Sequence, residues 1–431
     1  MSDAMNGELV WYRKNGELRM AVRAGAAFTR KFAQHPQASG VRVANVEVPW
    51  VPRDVRQFVY RHPIQIARQE DAWVGGPVFA ILAGSGNKIF HGNRGEYRDL
   101  LREGRRARTF VYVLPAASVN PADDLWRGYV RVGTGAWMGL PCPRPEAVYN
   151  RIPTRNLERT PTAERARALL NVLAIPMFNP SYFNKAEIYQ VVANAPVRRF
   201  LPETAGLSKL GLYNMIQVHR SVYLKPSGGS VGHGIMLVSQ DPEGYRLSVM
   251  KSSSCRSFIA SNYETLWKAV GQHKLPGRYV LQAAKPLITW QDRPCDFRVL
   301  LQKHDGEWQV VGVGVRVAGD GAITTHVPNG GHIAAADAVI DKWFGKGGDR
   351  VRRRLEETVL EMARVIDRHY TALLGEMSMD MGIDPQGNIW FFEANSKPMK
   401  FDEPEIHKRS LQGVLEHLNE IRARHAVQPE L

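Results

Sequence analysis

Two short runs near the end of the chain constrain its fold more than any other feature. Gly375-Glu376-Met377-Ser378-Met379-Asp380-Met381-Gly382-Ile383-Asp384 passes through Pro385-Gln386-Gly387 into Asn388-Ile389-Trp390-Phe391-Phe392-Glu393-Ala394-Asn395. Two β-forming runs around a Pro-Gly turn predict an antiparallel hairpin. Side chains alternate faces along a strand, so Glu393 and Asn395 point the same way. Folding about Gln386-Gly387 sets Asp380 opposite Glu393. Directly opposed carboxylates repel unless positive charge sits between them. A hard divalent cation bound through oxygen answers that need, and Asn395 offers a third oxygen. Magnesium ligated in this way usually also holds nucleotide phosphates. A three-residue loop with a bulge at Gly387 would shift the register by one and turn Asp380 away, leaving a surface hairpin with scattered acids. The hairpin alone leaves both readings open.

The 431 residues exceed one ordinary core and predict two or three domains. No apolar run approaches the roughly 20 residues needed to span a bilayer. Met1 to Val10 has no signal-peptide core, so the expectation is a cytoplasmic protein. Cys142, Cys255 and Cys295 are widely spaced and odd in number. They form no zinc pattern and no disulfide framework, which fits a reducing compartment. The net charge of +15 is partly clustered, at Arg102–Arg108 and Arg350–Arg354. Such clusters suit nucleic acid, a membrane surface or an anionic substrate. An RNA-binding aromatic motif, finger spacing and a basic low-complexity tail are all missing, which argues against nucleic acid.

Along the chain, residues 1–72 read as a small basic β module, with alternation over Val41–Val48 ended by Pro49 and Pro52. Residues 73–175 read as an α/β domain: the strand Val78–Leu82, a helix near Gly95–Gly104 and the strand Thr109–Leu114. The loop Gly84–Asn87 reads as a plain turn, and Pro141–Pro145 as a linker or rigid loop. Character changes again near Ile175, opening a third segment, 176–431. Asn184 with Glu187 predicts an N-cap and capping box for a helix from Lys185 to about Ala193. A lysine in the first turn opposes the helix dipole and hints at a phosphate partner. A long amphipathic helix is expected from Asp349 to Leu374.

Several segments of this third part carry candidate chemistry. Val222–Pro226 is a strand, followed by Ser227-Gly228-Gly229-Ser230-Val231-Gly232-His233-Gly234 and a second strand from Ile235. Glycines let backbone N–H groups converge on phosphate oxygens, and Lys225 can meet them as a point charge. An ordinary glycine-rich hairpin turn is the competing reading; neither a P-loop nor a protein-kinase signature is present. Tyr279–Ala284 turns from apolar to polar and can present backbone groups and the Gln282 amide to an adenine edge, or simply end a strand. Asp296 and Arg298 share one strand face, and Arg316 lies in the β run Val311–Val317. The two arginines either clamp a transferring phosphoryl group or pair with acids. Asn329–His332 reads as a loop near a ligand or as a turn.

In their order, Lys185, Lys225 with its glycine loop, Gln282, Asp296 with Arg298, Arg316, and Asp380 with Glu393-x-Asn395 resemble the ATP-grasp superfamily. The step from Asp380 to Glu393 fits its metal hairpin. At closer range the chain resembles the YheC/YheD family, called endospore coat-associated proteins. The phrases that carry this are Pro145–Pro153, Phe178-Asn179, Leu201–Thr204, Asp296–Val299 and Glu393–Pro398. The resemblance begins near Val74 and covers the first seventy residues poorly. Ser378-Met379 stands where the family tends to have Gly-Ile, and Gln282 replaces an acidic adenine contact common in the superfamily.

The resemblance implies an α/β (α+β) ATP-grasp fold: two α+β subdomains gripping ATP in 176–431, a Rossmann-like pre-ATP-grasp domain in 73–175, and the N-terminal β module before it. It implies ATP and Mg²⁺ as cofactors. Lys185 and Lys225 would meet the phosphates, and the loop with Gly228, Gly229, Ser230, Gly232 and Gly234 would close over them. Gln282 and Ala284 would face adenine, and Asp296 would lie near the ribose. Asp380, Glu393 and Asn395 would hold the metal, with Asp380 facing Glu393, while Arg298 and Arg316 would stabilise the acyl phosphate. The implied reaction joins a small-molecule or peptide carboxylate to an amine. The alternatives are a non-catalytic or regulatory ATP-binding protein of a spore-coat-type assembly and an ATP-dependent phosphotransferase.

Overall fold

The run Val41–Val48 does not form one strand, because Ala44 and Asn45 take a tight turn with Ala44 at φ 52°. Asn45 secures the turn: its amide donates to Asp124 O and accepts from Arg144 N. The hairpin belongs to the first of four sheets in this computed structural model. Residues 5–24, 40–52, 54–69, 72–86, 89–133, 135–227, 234–251, 254–321, 323, 325, 331–370 and 373–427 are described. Among them no helix is long and apolar enough to cross a membrane.

The first sheet comprises β1 (Met5–Lys14), β2 (Glu17–Ala24), β3 (Gly40–Val43), β4 (Val46–Pro49), β5 (Tyr60–Gln69) and β6 (Ala72–Gly76), in the order β2-β1-β5-β6-β3-β4. It therefore runs four residues past the expected boundary at 72, to Gly76. The second sheet holds β7 (Val78–Ser85), β8 (Phe90–His91), β9 (Phe110–Pro115), β10 (Leu125–Val132), β11 (Ala136–Pro143), β12 (Ala147–Asn150) and β13 (Met177–Phe178). Its order is β11-β10-β9-β7-β12-β13, with β9, β7, β12 and β13 parallel and β8 beside β7. Pro141–Pro143, expected in a loop, ends β11. That strand lies at the sheet edge, where proline's missing N–H costs no ladder bond.

β7 is apolar throughout because both its faces are covered. Val78, Ala80 and Leu82 join Leu9, Trp11, Ile64 and Ile66 of the first sheet in one core. Phe79, Ile81 and Ala83 face helix α1 (Arg94–Arg106), capped by Asn93, together with Val414, Leu415, Leu418 and Ile421. These last four lie on the C-terminal helix Pro404–Val427, so the chain's end returns to pack on its middle sheet. Burying each such side chain stabilises the docking by about 1.5–3 kcal/mol before ordering costs.

Helices α2 (Arg155–Glu158) and α3 (Pro161–Val172) lead to α4 (Lys185–Ala193). Asn184 caps α4, accepting from Ala186 N and Glu187 N, while Glu187 turns to His369 instead of closing the box. The third sheet contains β14 (Thr204–Gly206), β15 (Ser221–Pro226), β16 (Met236–Asp241), β17 (Gly244–Lys251), β18 (Ser254–Ala260) and β19 (Tyr279–Ala283), backed by α5 (Lys209–His219) and α6 (Tyr263–His273). The fourth contains β20 (Thr289–Trp290), β21 (Arg293–His304), β22 (Glu307–Val317), β23 (His332–Ala335), β24 (Glu376–Ile383) and β25 (Ile389–Asn395), in the order β23-β22-β21-β24-β25 with β20 beside β21. Helices α7 (Ala336–Phe344) and α8 (Gly348–His369) cover its back, and the C-terminal helix is α9. α8 stops at His369, short of the expected Leu374. Tyr370 is already extended, and Leu373 is 41% exposed, as the chain turns toward β24.

Candidate active site

The hairpin reaches its register by two opposing offsets. Its turn pairs Ile383 with Ile389 and Met381 with Phe391, one residue away from a fold about Gln386-Gly387. Continued unchanged, that offset would set Asp380 against Phe392. A β-bulge next to Asp380 absorbs Phe392 and pairs Asp380 with Glu393 and Ser378 with Asn395. Buried Asp384 fixes the turn, accepting from Gln386 N at 3.0 Å, Asn388 N at 2.8 Å and Trp390 Nε1 at 3.1 Å. Gly387 supplies the left-handed residue at φ 75°.

Neighbouring strands extend the same face. Asp296 pairs with Arg316, and Arg298 with Asp380. Opposed residues share a face, so Asp296, Arg298, Arg316, Asp380, Glu393 and Asn395 stand together on the fourth sheet. Arg316 is buried and forks onto Asp296 at 2.9 and 2.5 Å while its Nη2 reaches Asp380 Oδ2 at 2.8 Å. Burial alone would favour its neutral form, but the two carboxylates push its pKa far higher. Arg316 is thus spent on the acids and does not project as an open clamp. Arg298 does project: its guanidinium lies 5.2 Å over the Phe401 ring, and its buried Nε has no hydrogen-bond partner among the described residues.

Two lysines approach from other elements. Lys185, in the first turn of α4, donates to Glu393 Oε2 at 2.8 Å. Lys225, at the end of β15, donates to Gln282 Oε1 at 2.5 Å and sits 5.6 Å over the Phe392 ring. The bulged residue therefore meets the lysine of the third sheet. Burial lowers the Lys225 pKa to about 8. The Glu393, Asp296 and Asp380 carboxylates pull it up and Lys185 pushes it down, so all these charges act on one locus. Gln282 is buried, its side chain bound to Lys225, and Ala284 donates its N–H to Ser221 O. Gly234 takes φ 78°, where a Cβ would meet Leu275 Cδ1 at 2.5 Å, and its carbonyl accepts from Tyr279. Gly228, Gly229, Ser230 and Gly232 lie outside the described residues, as do Asn329 and Gly330.

Two carboxylates and a carboxamide on one face form a hard, all-oxygen donor set, which fits Mg²⁺. Each acid already has a cation: Arg316, buried and fixed, on Asp380, and Lys185, about one-third exposed on a flexible stem, on Glu393. The group His304, Asp305 and Glu420 also has metal-ligand spacing, but His304 is the last residue of β21, and His304 and Asp305 are exposed.

Sequence reasoning missed how the hairpin's open end is held. Lys397, two residues beyond Asn395, is buried in an ion pair with Glu158 of α2, and its ammonium lies over the Tyr182 ring. Glu158 also accepts from Asn150 and Tyr182 N. A lysine between Ser396 and Pro398, straight after a candidate ligand, was the available signal. Without a known partner it had no physical reading.

Residues 174–420, more than half the chain, match the model of an ATP-grasp family. The chain belongs to that family, described as YheC/D like ATP-grasp. It is similar to the endospore coat-associated protein YheD of Bacillus subtilis, with 29% identity over 313 residues, covering 70% of this chain and 68% of the relative. It is also similar to the endospore coat-associated protein YheC of the same organism, with 25% identity over 224 residues, covering 49% and 58%. Among solved structures it overlaps D-alanyl-alanine synthetase A of Vibrio cholerae at a TM-score of 0.47 and 11% identity, covering 81% of this chain and 99% of that one. The VanG D-Ala:D-Ser ligase of Enterococcus faecalis gives 0.47 and 12%, covering 80% and 99%.

Proposed function

We propose that the protein is an ATP- and Mg²⁺-dependent ligase of the cytoplasm that joins a carboxylate to an amine through an acyl phosphate. The observation that carries this reading is the convergence of Lys185, Lys225 and Arg316 on Asp296, Asp380 and Glu393 at one sheet face. The two lysines at this locus suit the phosphates, and Asp380 and Glu393 beside them suit the metal.

In this reading Lys185 leaves Glu393 for a phosphate, and Lys225 leaves Gln282 for another. Gln282 and the strand end at Ala284 then face the adenine, Asp296 lies toward the ribose, and the loop Gly228–Gly234 covers the phosphates. Asp380, Glu393 and Asn395 hold the metal, which when bound offsets charge on the β- and γ-oxygens. Arg316 keeps Asp380 and Asp296 fixed. Arg298 stabilises the acyl phosphate. A substrate carboxylate oxygen bonds to the γ-phosphorus as the bond to the β,γ-bridging oxygen breaks and ADP leaves. The amine nitrogen then bonds to the acyl carbon, inorganic phosphate departs, and the ammonium loses a proton. The chain's task is in-line positioning and exclusion of water.

The test is ADP formation across panels of acids and amines, with mass spectrometry of the products. A new amide supports the ligase. A phosphorylated product with no amide selects a phosphotransferase. Binding without turnover selects the regulatory ATP-binding reading, which the endospore coat-associated naming of the two relatives favours.

A further inference from the structure

The hairpin with Asp380, Glu393 and Asn395 is tied at its turn by Asp384. Its open end is tied by a side chain from far away in sequence. Asn179 lies just after β13, fully buried, at φ 52°. Its Nδ2 donates to Glu376 O at 2.8 Å and to Ser396 O at 2.5 Å. Its Oδ1 accepts from Gly375 N at 3.0 Å and Glu376 N at 3.4 Å. Both amide donors and the carbonyl are thereby used, bridging the start of β24 to the residue that follows Asn395. The next residues continue the tie. Ser396 Oγ donates to Ser181 O and accepts from Phe183 N. Asn184 then caps α4, and Lys185 reaches Glu393.

A left-handed backbone alone would be served by glycine. The asparagine amide adds a bridge across two strands where the ladder ends, one residue from a candidate ligand. We propose that Asn179 is a positioning residue: it sets the gap between β24 and β25 at their open end and so aims Asn395 and Glu393. This rests on the reading of Asp380, Glu393 and Asn395 as metal ligands. Asp380, held separately by Arg316, depends on it least.

The test uses the full chain with Asn179→Gly, which keeps the left-handed backbone and removes the amide, and Asn179→Asp, which keeps the acceptor and loses the donors. Mn²⁺ is the spectroscopic probe, titrated by electron paramagnetic resonance into protein saturated with ADP. Metal-free ADP affinity is measured by calorimetry and folding by circular dichroism. The expected result is folded variants with metal-free ADP affinity within about twofold of wild type and Mn²⁺ affinity lowered about 10–100-fold, as for other groups that orient metal ligands. Wild-type Mn²⁺ affinity in either folded variant overturns the proposal. So does an equal loss of metal-free ADP binding, or failure of both variants to fold, since each assigns Asn179 to the fold alone. Wild-type protein with no ADP-dependent Mn²⁺ binding overturns the metal assignment itself, and this inference with it.

Discussion

Lys185→Met separates the two roles that the site gives one lysine. Without nucleotide, Lys185 holds Glu393 at 2.8 Å, with both side chains about one-third exposed. An ion pair that wet contributes about 0.2–1 kcal/mol. A bare divalent ion must displace it to use Glu393. Methionine keeps the stem and removes the charge, so bare Mn²⁺ should bind up to about fivefold more tightly in the variant. With ATP present the sign reverses. A lysine–phosphate hydrogen bond is charge-assisted and contributes about 1.5–3 kcal/mol, so MgATP affinity should fall about 10–150-fold. Calorimetric titration at fixed ionic strength, first with Mn²⁺ alone and then with MgATP, reads both numbers. Opposite signs are the signature of a cation shared between a metal ligand and a phosphate. If both affinities fall together, or MgATP binding stays at the wild-type value, the assignment of Lys185 is refuted.

Arg316→Leu should destabilise the fourth sheet by about 3–5 kcal/mol, because it strands the buried carboxylates of Asp296 and Asp380; urea unfolding measures it, and Arg316→Lys should restore little, since an ammonium has no fork. Lys225 titrates near 8 when folded against 10.5 in its ordinary state, so between those values the unfolded chain binds the extra proton and stability rises with pH. Nucleotide affinity should move the other way, falling as pH climbs through about 8 and the ammonium is lost, whereas Lys225→Arg should give a flat profile. Deleting Phe392 removes the bulge but leaves Asp380 opposite Glu393, so ADP-dependent Mn²⁺ binding should persist in the folded variant; its loss would refute the register.

Much of the site's chemistry was legible because charge and period reveal themselves locally. The cap at Asn184 and the strand carrying Lys225 follow from local residue pattern, while the facing of Asp380 and Glu393 came from the family resemblance. The route to that pairing was not legible: the turn slips by one residue and the bulge at Phe392 slips back, and the paired aromatics Phe391 and Phe392 hide the change of parity. The same blindness affected long-range polar contacts. Arg316 read equally well as a clamp or an ion-pair partner, since nothing near it in sequence names Asp380 as its neighbour. The hold of Asn179 on Ser396 spans more than two hundred residues and has no local signature. At the N-terminus the single run Val41–Val48 hid a hairpin, although Asn45 was a visible turn residue. The fusion of the first two sheets into one core follows from β7 being apolar on both faces, a pattern that shows burial without naming what does the burying.

The most direct test of the account is a crystal structure with Mn²⁺ and a non-hydrolysable ATP analogue. The account predicts an anomalous peak bonded to oxygens of Asp380, Glu393 and Asn395 and to the analogue's phosphates, with the ammonium groups of Lys185 and Lys225 turned onto those phosphates. A nucleotide bound elsewhere, or a peak away from that hairpin while Lys185 stays on Glu393, would contradict it.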